Sequence, residues 1–246
     1  MNKKIGMEFL KKTQYIHMDP SDQSKGLPAP PIELDYDKSK TLIPLPKPSD
    51  LEIEEVSLRK CIENRQSVRK YSTESLTLEE LSWLLWSTQG LKHTNRKDVT
   101  IRTVPSAGAR HAFETYLLVN KVVGLQPGIY RYIASKHSLL EELIDENIVS
   151  KMKEAAYNQS IVNKSAVTFI WTVITYRMTY RYGERGFRYL HLDCGHVCKN
   201  LYLAAECIDS GVCAIAAFHD IDFNELLGFD GQEQWIIYLA TVGKKV

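Results

Sequence analysis

From Phe187 to Ser210 the chain runs without a proline, and Leu190, Cys194, Val197, Leu201, Ala204, Ala205 and Ile208 share one broad helical face, with apolar residues on other faces too. A helix apolar around most of its circumference must be buried, in a core or against a second subunit. The fold therefore has to be built around this segment. Strands to pack on it are expected at Glu114–Asn120, Gly128–Ile133 and Ala166–Thr175, where β-branched and aromatic residues cluster. Between the last two, Leu139–Tyr157 is helical in character. Gly211 is expected to end the long helix. A strand then follows at Val212–Ala216, Asp222 and Glu225 open a short helix, and Trp235–Val242 closes with a β pattern.

Upstream, Val56, Leu58 and Ile62 with flanking charges predict a helix over Glu54–Asn64. Thr77 followed by Glu80 is a capping-box pattern, and Leu81, Leu84 and Leu85 continue at helical spacing until Gly90. Residues 1–50 differ. They hold seven of the nine prolines, and proline fixes φ and removes a backbone donor. Ile32, Leu34, Tyr36, Leu42, Ile43 and Leu45 are too apolar for a solvated linker, so this region reads as an extended arm over a folded body at 51–246.

Composition narrows the function classes. Hydrophobic residues at 44% and charged residues at 25% are those of a soluble globular chain. Lys and Arg number 31 against 30 Asp and Glu, with no long run of like charge, so no nucleic-acid or anionic-membrane surface is supported. Any bound anion should be small and locally held. Five scattered cysteines, no apolar run behind the basic start and no long apolar segment together predict reduced thiols in a cytoplasmic protein.

Several short segments carry polar chemistry. Arg65, Gln66, Ser67 and Arg69 in "RQSVRKY" place two guanidinium forks and a hydroxyl at a helix end, which suits a phosphomonoester; basic residues at a helix C-terminus also simply favour its dipole. In "PSAGAR", Pro105 and Ser106 open a small-residue loop that a planar ligand can approach, or that is an ordinary turn. Asn158 and Gln159 can satisfy an amide-like ring edge. His191, Cys194, His196 and Cys198 crowd one helix, but zinc sites draw ligands from two separated pairs, so no metal site is expected. Neither G-x-G-x-x-G nor G-x-x-x-x-G-K occurs, nor does a G-x-S-x-G elbow.

Taken in order, "RQSVRKY", the capped helix, "PSAGARHAFETYLLV", "YNQS", "GERGFRYLHLDCGHVCKNLYLAA" and "SGVCAIAAF" resemble the nitroreductase-like FMN flavoproteins. Within that family, "VPSAGARHAFETYL", "YGERGFRY", "GHVCKNLYLAAE" and "NELLGFDG" are similar to the SagB-type dehydrogenases, a group that includes oxidases making azoles from azolines in peptides. The match spans about residue 55 to the C-terminus. It implies an α+β fold with a mixed sheet flanked by helices, the long helix central to a homodimer, and FMN between the subunits. The resemblance assigns Arg65, Gln66, Ser67 and Arg69 to phosphate and ribityl, and Pro105 and Ser106 to a loop beside the ring. Gln159 with Asn158 would meet the pyrimidine edge, and Ala214, Ile215, Ala216 and Ala217 form the strand end whose backbone N–H reaches flavin N5.

Three departures shape the expectation. Relatives often carry further basic residues well beyond the last glycine, whereas this sequence reads "VGKKV", so that either Lys244 or Lys245 serves the phosphate or the site is less cationic. "CAIAAF" lacks the proline and glycine often found there. The azole-forming branch has Lys-Tyr before Gly-x-Arg; here the pair is Arg181-Tyr182, and arginine does not exchange protons near neutrality. The expected activity is hydride transfer through FMN from NAD(P)H or another donor to a small acceptor such as a nitro compound or quinone, with Arg181 and Tyr182 on the substrate side. The alternatives are peptide azoline oxidation and a flavin-binding sensor or flavin-fragmenting protein.

Overall fold

Helices cover both faces of one sheet in the computed structural model of the protein, which describes residues 4–96 and 99–246. In chain order the elements begin with α1 (Ile5–Lys12), β1 (Leu42–Pro44), α2 (Leu58–Asn64), α3 (Leu78–Gln89), the antiparallel pair β2 (Leu91–Arg96) and β3 (Val99–Arg102), β4 (Phe113–Val119), β5 (Gly128–Ile133) and β6 (Ser138–Leu143). They continue with α4 (Ile148–Ala155), α5 (Ile161–Lys164), β7 (Val167–Ile174), α6 (Thr175–Tyr182), α7 (Gly186–Glu206), β8 (Ser210–Ile215), α8 (Asp220–Leu227) and β9 (Gln234–Lys244).

Among the described residues the main sheet has seven strands in the order β1-β6-β5-β4-β7-β9-β8. Every neighbouring pair is antiparallel, which corrects the expectation of a mixed sheet. The connection from β7 through α6 and α7 to β8 leaves those two strands parallel to each other, but β9 returns between them and runs against both. β4 is buried at all seven positions because both faces are covered. Phe113, Leu117 and Val119 pack with Leu81 and Leu85 of α3 and Leu190, Val197 and Leu201 of α7. Tyr116 and Leu118, on the opposite face, pack with Ile148 and Met152 of α4 and Phe223 of α8.

The Thr77–Glu80 capping box forms as its sequence implies. α2 begins only at Leu58, where the Ser57 side chain accepts the Lys60 N–H. The predicted helix over Leu139–Tyr157 divides: its first part is strand β6, paired on one side with β5 and on the other with β1. α7 stops at Glu206, and Asp209 in the left-handed region turns the chain so that Ser210 and Gly211 already belong to β8. α6, rich in tyrosine and arginine, is not among the predicted helices; it buries Arg177, Met178 and Tyr180.

The arm includes helix α1, and its extended stretch is anchored by hydrogen bonds from the body. Arg177 Nε donates to the Pro31 carbonyl at 2.7 Å, Arg131 Nη2 to that of Asp35 at 3.0 Å, and the Tyr180 hydroxyl to that of Leu27 at 2.9 Å. The Leu34 N–H meets Glu114 at 2.9 Å, and that carboxylate also holds Arg177 in a buried pair at 2.6 Å. Backbone groups without ladder partners are thus satisfied by side chains. Among the described residues no helix is long and apolar enough to cross a membrane.

Candidate functional site

α2 ends at Asn64 with Arg65 as its C-cap, and the chain then runs beside β8, the last strand of the sheet. The Val68 N–H donates to the Val212 carbonyl at 2.9 Å, and Ser67 forms a parallel bridge with Val212. A strand edge is thereby covered instead of left open. Gly211 permits this approach, since a Cβ there would lie 2.4 Å from Val68 Cβ. Arg65 is half-buried, while Gln66, Ser67 and Arg69 are exposed along this ledge. Neither arginine is ion-paired among the described residues, so both forks remain open to an anion.

Tyr202 of α7 ties this ledge to the sheet. Its hydroxyl accepts the Ala214 N–H at 3.0 Å and lies 3.1 Å from Ser67 Oγ, and the Arg65 guanidinium sits 5.5 Å from its ring centroid. Tyr202 lies within the run "GHVCKNLYLAAE", but that run assigns it no role, because its partners Ser67 and Ala214 lie outside the helix. Beyond Ile215 the chain emerges with Ala216 and Ala217 exposed, and their backbone N–H groups have no hydrogen-bond partner among the described residues. Gln159 Nε2 donates to the Ala217 carbonyl at 2.9 Å, leaving Oε1 without a partner among the described residues, and the exposed Asn158 beside it takes a left-handed φ of 56°. Arg65, Gln66, Ser67 and Arg69 therefore lie on one connected surface with Ala214, Ala216 and Ala217 and with Asn158 and Gln159, whereas the Ile215 side chain is buried in the core with Ile148, Met152 and Phe223.

The remaining candidates gather elsewhere. Ser106 Oγ donates to Asp193 of α7 at 2.5 Å and accepts the His111 N–H at 2.9 Å; the Ala107 N–H also meets Asp193, at 3.1 Å. Ser106 is thus a brace for the loop. Burial holds the Asp193 carboxyl above the usual aspartate range, against the opposing effect of these donors. Gly108, at φ 57°, lies under the Arg181–Tyr182 pair: a Cβ there would sit 2.5 Å from Tyr182 Oη and 2.9 Å from Arg181 Cδ. Pro105 and Arg181 are exposed and Tyr182 is half-buried.

Lys244 and Lys245 already have carboxylate partners. Lys244 Nζ pairs with Glu80 and donates to the Ile208 carbonyl at 2.8 Å, and Lys245 Nζ pairs with Glu206 at 2.7 Å. Cys194 and Cys198 are buried, and burial pushes their thiols up, Cys198 to about 12. His191 is exposed and its Nδ1 donates to the Phe187 carbonyl at 2.8 Å.

The two groups are separated by α7 itself. Asp193 anchors one and Tyr202 the other; nine residues of α-helix place them about 13 Å apart along the axis and about half a turn around it. Within the chain the ledge and the loop therefore face different ways.

Residues 62–244 match the nitroreductase family. The nitroreductase-named protein MJ1384 of Methanocaldococcus jannaschii is 36% identical over 195 residues, covering 79% of this chain and 94% of that protein. The trifolitoxin-processing protein TfxB of Rhizobium leguminosarum bv. trifolii is 33% identical over 112 residues, 43% of this chain and 29% of TfxB. Among solved structures, a nitroreductase-named protein of Anabaena variabilis superposes with a TM-score of 0.65 at 28% identity, covering 77% of this chain and 38% of that longer one. A nitroreductase-named protein of Desulfovibrio desulfuricans, solved with FMN, gives a TM-score of 0.55 at 14% identity, covering 78% and 88%. With most of its length matched to the family and a relative aligned almost end to end, this chain belongs to the nitroreductase family, a family of oxidoreductases.

Proposed function

We propose that the protein is an FMN-dependent oxidoreductase working by two half-reactions, in which NAD(P)H or another donor and then a small electrophile, such as a quinone or nitro compound, occupy the same face of the cofactor. The observation that carries this reading is the ledge. Two arginines without an ion-pair partner among the described residues, an exposed serine hydroxyl and two backbone donors without a hydrogen-bond partner among them lie along one strand edge, tied together by Tyr202. These groups suit an extended ligand with a phosphate at one end and a polar heterocycle at the other.

Arg65 and Arg69 would hold the phosphate by charge-assisted hydrogen bonds, with Gln66 and Ser67 on the ribityl chain. Asn158 and Gln159 would orient the pyrimidine edge, and the strand end at Ala214–Ala217 would present backbone N–H groups toward N5 without a competing base. When bound, FMN supplies hydride acceptance and release at that atom. Arg181, exposed over the Gly108 loop, would hold an anionic donor or acceptor, and Tyr182 would form the wall beside it. Because the ledge and the loop lie on opposite sides of α7, a homodimer in which Pro105 and Ser106 of one protomer complete the ledge of its partner accounts for both groups. Lys244 and Lys245 are held by carboxylates, which leaves the phosphate to the two arginines.

A second reading, peptide azoline dehydrogenation, is favoured by the similarity to TfxB. It requires a proton acceptor where this chain has a guanidinium, and Tyr182 would have to serve alone. The deciding experiment is chromatography of the chromophore released by heating the purified protein, followed by anaerobic mixing with NADH and NADPH. FMN that bleaches on mixing is the expected result. A colourless protein that also fails to bind added FMN overturns the proposal, and bound FMN that neither nicotinamide reduces moves the function to a different donor or a sensor.

A further inference from the structure

The N-terminal arm docks on the first turns of α7 through polar contacts. Arg185 Nη1 donates to the Thr13 carbonyl at 2.8 Å and Arg188 Nε to Thr13 Oγ1 at 2.6 Å, while Arg188 Nη2 reaches the Leu10 carbonyl. Tyr15 follows. Its hydroxyl lies 2.8 Å from that of Tyr189, and the Arg185 guanidinium covers its ring at 4.1 Å. Arg185 Nε donates to the same Tyr189 hydroxyl at 2.8 Å, so that phenol is held from two sides. Tyr189 then sets its ring edge-on to Tyr182, with centroids 4.8 Å apart and planes at 71°. The chain of contacts ends where Tyr182 meets Gly108 of the "PSAGAR" loop.

Apolar burial does not explain this docking. α1 contributes no buried residue, and Tyr15 itself is 64% exposed. A segment recruited to extend the core would bury its apolar side chains, as Leu45 later in the arm does; Ile5, Met7 and Ile16 are instead exposed. What the contact does accomplish is to fix the Tyr189 ring, and through it the Tyr182 ring, relative to the loop.

We infer that Tyr15 is a positioning residue for the substrate side of the site, acting through Tyr189 on Tyr182. This rests on the reading that Arg181 and Tyr182 face the substrate. The arm then shapes the space open to the donor and acceptor without touching the cofactor ledge, and its effect is on turnover and acceptor selection, not on FMN affinity. A packing pair of this kind acts by narrowing the range of ring orientations, and edge-on aromatic contacts are orientation-dependent.

The test is a double-mutant cycle between Tyr15→Phe and Tyr182→Leu in the full-length, FMN-loaded protein. It is read as kcat and KM for quinone reduction by whichever nicotinamide reduces the protein faster. Tyr15→Phe keeps the ring stacked on Arg185 and deletes only the hydroxyl. A fluorotyrosine at position 182 gives a second readout by fluorine NMR in the cofactor-free protein. Tyr15→Phe is expected to lower kcat about three- to tenfold, the effect of losing one hydrogen bond, with FMN affinity changed less than about twofold. It is also expected to shift the fluorine resonance, and to have no further effect once Tyr182 is leucine. A silent Tyr15→Phe, or one whose effect persists undiminished in the Tyr182→Leu background, overturns the positioning role while leaving the substrate side in place. A silent Tyr182→Leu overturns the substrate-side reading and this inference with it. Where no turnover is found, an unmoved fluorine resonance overturns the inference by itself.

Discussion

The Tyr202 hydroxyl accepts the backbone N–H of Ala214 at 3.0 Å while lying 3.1 Å from Ser67 Oγ, so one phenol on α7 joins β8 to the ledge. Tyr202→Phe keeps the ring under Arg65 and leaves the half-buried Ala214 N–H without its partner. The expected cost is about 1–3 kcal/mol in urea unfolding, together with weaker FMN binding because Ser67 loses its neighbour. Equal unfolding midpoints for the two proteins would show that solvent replaces the phenol without penalty.

Arg65→Ala is expected to weaken FMN binding about 10- to 100-fold, as the loss of a charge-assisted hydrogen bond worth about 1.5–3 kcal/mol. Lys244→Ala should behave in the opposite way. Its ammonium is occupied by Glu80 and the Ile208 carbonyl, so stability falls by about 1.5–3 kcal/mol while FMN affinity stays within about twofold. Fluorescence titration of FMN and thermal unfolding of both variants separate the two effects. An affinity loss in Lys244→Ala as large as in Arg65→Ala would place the phosphate at the C-terminal strand.

His111 is buried beside Arg102 and Arg110, and burial first, then those two charges, push its pKa down to about 3. The unfolded chain takes up a proton near pH 6.5, whereas the folded protein resists until about pH 3. The stability this contributes is complete above about pH 6.5 and is lost as pH falls from there toward 3, by up to about 1.4 kcal/mol per pH unit. His111→Asn, which tolerates the left-handed φ of 43°, should flatten that part of the stability–pH curve. Parallel curves for wild type and variant between pH 6.5 and 4 would contradict the assignment.

Opposite placement of the ledge and the loop on α7 predicts a dimer whenever FMN is bound. Sedimentation at micromolar protein should give twice the chain mass. A monomer that retains stoichiometric flavin would require a site completed within one chain.

Local pattern was enough to determine α7, the central strands β4, β5 and β7, and the Thr77 cap, because in each the period of apolar residues or a four-residue hydrogen-bond motif carries the information. The ordered motifs from Arg65 to Ala217 were likewise legible, since each is a short run of side chains. Tertiary structure decided the rest. Residues 139–143 read as helix alone and become part of a strand because β5 and β1 supply ladder partners on both sides. Lys244 and Lys245 read as free cations until Glu80, distant in sequence, and Glu206 are brought against them. Tyr202 sits in a legible motif, but its contacts with Ser67 and Ala214 exist only when β8 and the Arg65–Arg69 segment meet over α7. The division of the candidate site across two sides of that helix is likewise invisible in sequence: spacing along the chain sets each motif's chemistry, but only helical rotation and rise set the direction in which it points.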